Sequence, residues 1–252
     1  MDSKRARPDL RLAVTSGGII EAEARSTSEC SVPPALLVSY VYVEPFMARR
    51  QEFRCRDWML DSGAYSAWNS GTPIVLTDYI RACFELREKD AQLTEIIALD
   101  VIGDGRGSLE NALAMKAAGL EVIPVFHVGD DRGILAEYVG AFKKVGLSCR
   151  FGEPLTQSLR FYDDCFARHW PQKFHSFGWV SERMLMRYPF HSSDCSSWEM
   201  GPTAFGNWKS YGKLSVRGSK QNLRCEVEWY LELEARLRQR WKKEMEVLEC
   251  AS

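Results

Sequence analysis

Short apolar runs alternate with amphipathic stretches along most of the chain. The runs fall at residues 10–15, 35–43, 57–60, 95–99, 121–127, 147–151, 173–177 and 189–193. Near-continuous apolarity, rather than strict alternation, marks strands covered on both faces and therefore paired in parallel. The intervening stretches carry helix signals. Thr77 is placed to cap a helix reaching about Lys89, and Ser108 to cap one ending near Ala118 with Gly119 as a left-handed stop. Alternation of this kind predicts an α/β fold, a (β/α)8 TIM barrel, with its strands spread over about 10–216 and a short strand at 214–216. From Gln221 the apolar positions Leu223, Val227, Tyr230, Leu237, Trp241, Met245 and Leu248 recur at helical spacings, which predicts one long C-terminal helix over about 221–249. Residues 1–9 and 20–34 read as mobile, and 195–220 as a structured loop rich in Gly and aromatics.

Composition keeps this picture and narrows it. The 252 residues suit a single barrel domain. A 45% hydrophobic fraction with 18 Gly and 10 Pro excludes disordered and collagen-like chains. No apolar run approaches the ~20 residues a spanning helix requires, and Lys4, Arg5 and Arg7 are not followed by the apolar stretch of a signal peptide. A soluble, cytoplasmic protein is expected, with no membrane partner. The eight cysteines (30, 55, 83, 149, 165, 195, 225, 250) form no CxxC pair, so a reduced setting fits better than a disulfide framework. Cys165 and His169 are four apart but lack a second ligand pair nearby, which argues against a structural metal. The net charge of −1 argues against nucleic-acid binding through bulk charge alone, yet residues 201–243 hold ten Lys+Arg and four Glu, for +6, leaving −7 elsewhere. That basic run is either the solvated face of a long helix or a phosphate-binding surface.

Candidate chemistry sits where the predicted strands end. Asp61 follows the third run and opens the small-residue turn Asp61-Ser62-Gly63-Ala64-Tyr65; Asp100 follows the fourth; His127 ends the fifth; Asp194 follows the eighth. In a barrel such ends converge on one mouth. Each residue also has a plainer reading. Asp61 and Asp194 are residues that cap turns, Asp100 can orient a neighbouring loop, and a His beside an apolar run is often structural. Asp104 and Gly105 read as turn residues, and His169, His175 and His191 as structural.

Taken in order, Leu-Asp-Ser-Gly-Ala-Tyr, Ala-Leu-Asp-Val-Ile-Gly-Asp, Ile-Pro-Val-Phe-His-Val-Gly-Asp and Tyr-Pro-Phe-His-Ser-Ser-Asp-Cys-Ser-Ser-Trp resemble the small bacteriophage members of the queuine/archaeosine tRNA-guanine transglycosylase superfamily. Those members are similar to enzymes that place 7-deazaguanine bases in DNA. The likeness runs from about Leu10 to Val216. It implies Asp61 as general acid/base, Asp194 as nucleophile, and Ser62, Gly63, Tyr65, Asp100, His127, Gly152, Phe177 and Gly178 as base-binding positions, with Tyr65 and Phe177 on the two faces of the base. His127 stands where the tRNA enzymes carry Gln. Ser148-Cys149-Arg150 replaces the Gly-Gly expected before Gly152-Glu153. The Cys-rich zinc segment of the tRNA enzymes is missing, since only Cys225 and Cys250 follow the barrel. The expectation is thus a barrel without the zinc-binding subdomain, needing no cofactor, acting on DNA with a preQ0-type 7-deazaguanine as small substrate. Trp198, Lys209, Lys213, Arg217 and Lys220, with Tyr211, would meet the polymer. The alternatives are tRNA as the polymer, a barrel glycoside or nucleoside hydrolase, and a non-catalytic nucleic-acid-binding module. Nothing in the sequence sets the oligomeric state.

Overall fold

The computed structural model describes residues 7–14, 20–149, 154–178, 181–211 and 223–250. Eight parallel strands run in the order β4-β3-β2-β1-β8-β7-β6-β5: β1 Asp9–Val14, β2 Ala35–Ser39, β3 Asp57–Asp61, β4 Leu93–Ile96, β5 Val125–His127, β6 Lys144–Ser148, β7 Lys173–Phe177 and β8 Ser192–Cys195. A single parallel bridge, Ile97 to Ile123, joins the two end strands and closes the ring. The helices on the outside are α1 Ile20–Ser28, α2 Val43–Ala48, α3 Ala64–Ser70, α4 Leu76–Lys89, α5 Gly105–Ala117, α6 Arg132–Ala141, α7 Leu155–His169, α8 Glu182–Leu185, α9 Ser197–Met200, α10 Arg224–Arg240 and α11 Lys242–Cys250. The expected TIM-barrel class is the observed one.

Strand alternation divides the apolar side chains into two cores. Leu10, Leu12 and Val14 of β1, with Trp58 and Leu60 of β3, join the large core under the helices. Ala13, Leu37, Met59, Ile97, Ile123 and Val125 form a small second core inside the ring, with Phe177 packed on it. Below that layer, at the amino ends of the strands, the interior is ionic. Buried Arg11 donates to Asp57 Oδ1 at 2.7 Å and to Glu95 Oε2 at 2.7 Å, and Lys144 donates to Glu95 Oε1 at 2.8 Å. Above it, at the carboxyl ends, lies the mouth.

Several boundaries differ from expectation for identifiable reasons. β2 stops at Ser39, because the chain turns into a 3-10 segment, Tyr40–Tyr42, and then α2. β5 is three residues long, since Pro124 has no N–H for the ladder and Ile123 makes only the closing bridge. β6 begins three residues early at Lys144, a residue whose charge hides the strand until Glu95 is seen beside it. β8 is Ser192–Cys195, so Asp194 lies within the last strand. Residues 20–34 are not mobile as a whole, because α1 buries Ile20, Ala22 and Ala24. Thr77 is not a cap, as α4 starts at Leu76 without a side-chain cap. Asp104, not Ser108, caps α5, accepting from Gly107 N–H at 2.9 Å. Gly119 does adopt a left-handed φ of 95° behind that helix. The long C-terminal helix is interrupted at Trp241, whose indole N–H donates to Leu185 O at 2.7 Å. The expected strand at 214–216 lies outside the described residues. No helix among the described residues is long and apolar enough to cross a membrane.

Candidate active site

The mouth gathers the polar ends of five strands. β3 delivers Asp61, and the chain then turns sharply through Gly63, which has φ 74°. A side chain there would be strained, and its Cβ would lie 2.8 Å from Val41 Cγ2 in the loop after β2. This packing sets the start of α3 and returns Gly63 N–H to Asp61 Oδ2 at 3.0 Å. Beyond β4, Asp100 is fixed from outside: Asn111 Nδ2 donates to Leu99 O at 3.0 Å, and Val101 N–H donates to Ser108 Oγ at 2.8 Å. Ser108, expected as a cap, therefore serves to hold the Asp100 loop.

Asp100 is a bridging acceptor. Ser62 Oγ donates to its Oδ1 at 3.1 Å, and His127 Nε2 lies 2.9 Å from its Oδ2. His127 is anchored in turn by reciprocal bonds, its N–H to Asp130 Oδ2 at 3.0 Å and Asp130 N–H to its carbonyl at 3.1 Å. Asp194 is held differently. Oδ1 accepts from Gly178 N–H at 3.1 Å and lies 3.2 Å from His175 Nε2, while His175 Nδ1 is 2.7 Å from Ser192 Oγ. An ionised carboxylate only accepts, so Nε2 carries the hydrogen and Ser192 donates to Nδ1.

Burial, then the nearby charge of Asp100 and, less strongly, that of Asp194, push the Asp61 carboxyl up to about 7, against the opposing Gly63 N–H bond. Burial keeps His175 neutral by lowering it below its ordinary value despite the Asp194 carboxylate. Among the described residues no Lys or Arg pairs with Asp61, Asp100 or Asp194; their ion-pair-range partners are the two histidines. The floor of this cup is Phe177, whose ring meets His175 edge-on at 4.5 Å and lies where any Cβ on Gly146 would be, 2.3 Å from its Cε2.

The structure thus brings together Asp61, Ser62, Gly63, Asp100, His127, Phe177, Gly178 and Asp194. Tyr65 lies on the first turn of α3 with 63% of its surface exposed, tilted against equally open Trp68 at 6.1 Å. Trp68 went unnoticed in the sequence because no motif marks it. Trp198 is corrected: it is fully buried, with its indole N–H donating to Ala13 O at 2.9 Å, and has no surface to offer a base. Lys209 and Tyr211 are exposed, on a segment pinned to α10 by Glu226, which accepts from Lys209 N–H at 3.0 Å and Ser210 N–H at 2.8 Å. Gly152, Lys213, Arg217 and Lys220 lie outside the described residues. His175, read as structural, belongs to the site. A cleft of about 640 Å³ opens elsewhere, on the outer wall between α6 and α7, lined by Arg132, Arg160, Arg168 and His169 and containing none of the three aspartates. Among the described residues no group of three or more His, Cys, Asp or Glu side chains could hold a metal ion.

No known protein family and no curated protein matches the chain. Among solved structures, it is similar to a fructose-1,6-biphosphate aldolase candidate from Coccidioides immitis, with 12% identity over 97% of this chain and 90% of that one and a TM-score of 0.48. It is also similar to the YdjI aldolase of Escherichia coli K12, with 12% identity over 96% and 88% and a TM-score of 0.40.

Proposed function

We propose that the chain is a base-exchange transglycosylase that replaces guanine in DNA by a 7-deazaguanine. The observation that carries the reading is the division of labour between two strand-end carboxylates. Asp61 keeps a proton near neutral pH because burial and the charges of Asp100 and Asp194 hold its carboxyl up, whereas Asp194 turns Oδ1 to the N–H groups of Gly178 and His175. Displacement at an anomeric carbon needs one carboxyl of each kind, for the reason that retaining glycosidases carry a pair.

In the first half-reaction Asp194 bonds to C1′ while the C1′–N9 bond to guanine breaks, and the departing base takes the Asp61 proton. In the second, the 7-deazaguanine gives its ring N–H proton to the Asp61 carboxylate and attacks C1′, and the C1′–oxygen pair returns to Asp194. Asp100, with its Ser62 and His127 partners, offers the acceptor edge for the purine amide and amino group. Phe177 supplies the floor and Tyr65 an open ring for stacking. A guanine in a duplex must be extruded to arrive here, at about a few kcal/mol that stacking can offset. No step requires a metal or nucleotide cofactor.

Incubating the protein with guanine-containing DNA, or with tRNA, and a labelled 7-deazaguanine should give label in DNA. Asp194→Ala should lower exchange on the order of 10^4-fold and remove the covalent adduct while the fold persists. Folded wild-type protein that labels neither polymer refutes the reading. Release of free base without incorporation would point to a hydrolase, and label confined to tRNA to the other polymer.

A further inference from the structure

The two oxygens of Asp194 stand in different surroundings, and His175 sits beside one of them. His175, Ser192 and Asp194 are all buried, on the adjoining strands β7 and β8, and the ladder register pairs His175 with Ser192. The chain of contacts runs one way: Ser192 O–H donates to His175 Nδ1 at 2.7 Å, and His175 Nε2–H donates to Asp194 Oδ1 at 3.2 Å. Gly178, at φ 65° just past β7, aims its N–H at the same oxygen at 3.1 Å. Among the described residues no donor is assigned to Oδ2. Phe177 meets the imidazole edge-on and limits its rotation.

We propose that His175 is the positioning residue of the nucleophile: with Gly178 N–H it binds Oδ1 of Asp194, so that Oδ2 forms the bond to the anomeric carbon and Oδ1 becomes the carbonyl oxygen of the glycosyl ester. This rests on the base-exchange reading. In the ester the two N–H groups still face Oδ1, as a pair of preorganised donors. When the incoming base forms its bond to C1′, the C1′–Oδ2 electron pair returns to the carboxylate, and the same donors meet the negative charge that reappears. The breakdown of the ester therefore depends on them at least as much as its formation. Lys144 and Glu95 are the other charged groups felt by the ring. Ser192 fixes the tautomer, because an imidazole with its hydrogen on Nδ1 would present a lone pair to Oδ1.

Two measurements test this. Nitrogen NMR of histidine-labelled protein at neutral pH should show His175 with a protonated Nε2 and a bare Nδ1; the opposite tautomer overturns the proposal before any activity is assayed. Rapid-quench measurement of adduct formation and decay should then show His175→Leu slowing decay on the order of 10^2-fold. His175→Gln, whose amide still offers N–H to Oδ1, should recover most of that loss. A merely structural role would make Leu and Gln equally harmful, or equally harmless, and either result refutes the proposal. A wild-type protein with the expected tautomer that forms no adduct would instead bring down the base-exchange reading on which the ester role depends.

Discussion

The two ends of the barrel interior use the same side chains to opposite effect. At the amino ends, Asp9 and Asp57 are buried and Glu95 is half-buried, but each faces cations: Arg11 reaches Asp57 and Glu95, Lys144 reaches Glu95, and Arg7, Arg56 and Arg238 surround Asp9. Burial alone would raise the Glu95 carboxyl, yet Lys144, Arg11 and Arg7 outweigh it and hold it well below its ordinary value. At the carboxyl ends, Asp61, Asp100 and Asp194 are met by backbone N–H, hydroxyl and imidazole groups only, among the described residues. No cation offsets the burial of Asp61, whose carboxyl rises to about 7. The carboxylates of the base are neutralised where they stand, whereas those of the mouth, which the proposed exchange would protonate or bond, are left without a Lys or Arg partner among the described residues. The apolar layer of Ala13, Leu37, Met59, Ile97, Ile123 and Val125 separates the two regimes.

The largest effect should come from unpairing the base. Arg11→Met removes the cation shared by Asp57 and Glu95 while leaving Asp57 buried and Glu95 half-buried, and breaking such a network costs about 3–5 kcal/mol. Urea unfolding at pH 7 measures it. A loss below about 1 kcal/mol would mean that water or Lys144 compensates the two acids, and the contrast between the ends would fail. Replacing Arg11, Asp57, Glu95 and Lys144 together by apolar residues of similar volume should recover much of the loss, because the desolvation cost of the charges goes with them.

Much of this contrast was legible in the chain, and the rest needed register. Asp61, Asp100, His127 and Asp194 stand out because buried parallel strands read as apolar runs, and a polar residue at the end of a run marks the mouth. The base is harder to read. Lys144 opens β6 as a charged residue, and only the fold brings Glu95, 49 positions away in the chain, to its side. His175 lies two residues from the end of β7, so its inward direction follows from the pairing of His175 with Ser192, which sequence parity alone does not supply. Trp198 misled for the opposite reason. A Trp in a Gly-rich aromatic segment reads as exposed, but the carbonyl of Ala13 on β1 draws its indole N–H inward. Asp104 and Ser108 are both good capping residues four apart. The carboxylate of Asp104 reaches Gly107 N–H, which releases Ser108 to hold Val101.

The next prediction concerns the sign of the pH dependence, which should differ between the two ends. Asp61 has its carboxyl raised from 3.8 to about 7 in the folded protein. The folded state therefore binds that proton more tightly, and the stability it contributes is complete below about pH 4 and lost as pH rises through 7. Glu95, held well below 4.5, does the reverse: its contribution is present above 4.5 and is lost as pH falls. Asp61→Asn removes the first dependence. Near pH 4 it should match wild type in unfolding free energy, and at pH 8 it should exceed it by up to about 4 kcal/mol. Exchange activity should drop by about 10^2-fold or more, because the proton carrier is gone. An Asn variant that is no more stable than wild type at pH 8 would show that Asp61 is not under electrostatic strain.

The smallest effect tests whether the pairing at the base extends to the C-terminal helix. Glu249 of α11 accepts from His191 Nε2 at 3.1 Å, just before β8, and from Lys173 Nζ at 3.4 Å, at the start of β7. The His191 hydrogen bond first, and then the charge of Lys173, hold its carboxyl down to about 2. Burial keeps His191 neutral by pushing it down to about 3, so the imidazole serves as an uncharged donor. Glu249 is partly open to solvent, which screens the pairing, so Glu249→Gln should cost no more than about 1 kcal/mol at pH 7. Because the folded carboxyl is depressed, the wild-type advantage should be complete above about pH 4.5 and should shrink as pH falls towards 2. Urea unfolding at pH 7 and pH 3 reads this difference, and exchange activity should not move, since Glu249 lies at the far end of the barrel from Asp61 and Asp194. A Gln variant that lost activity while keeping its stability would tie the base to the mouth, against the separation that the apolar layer provides.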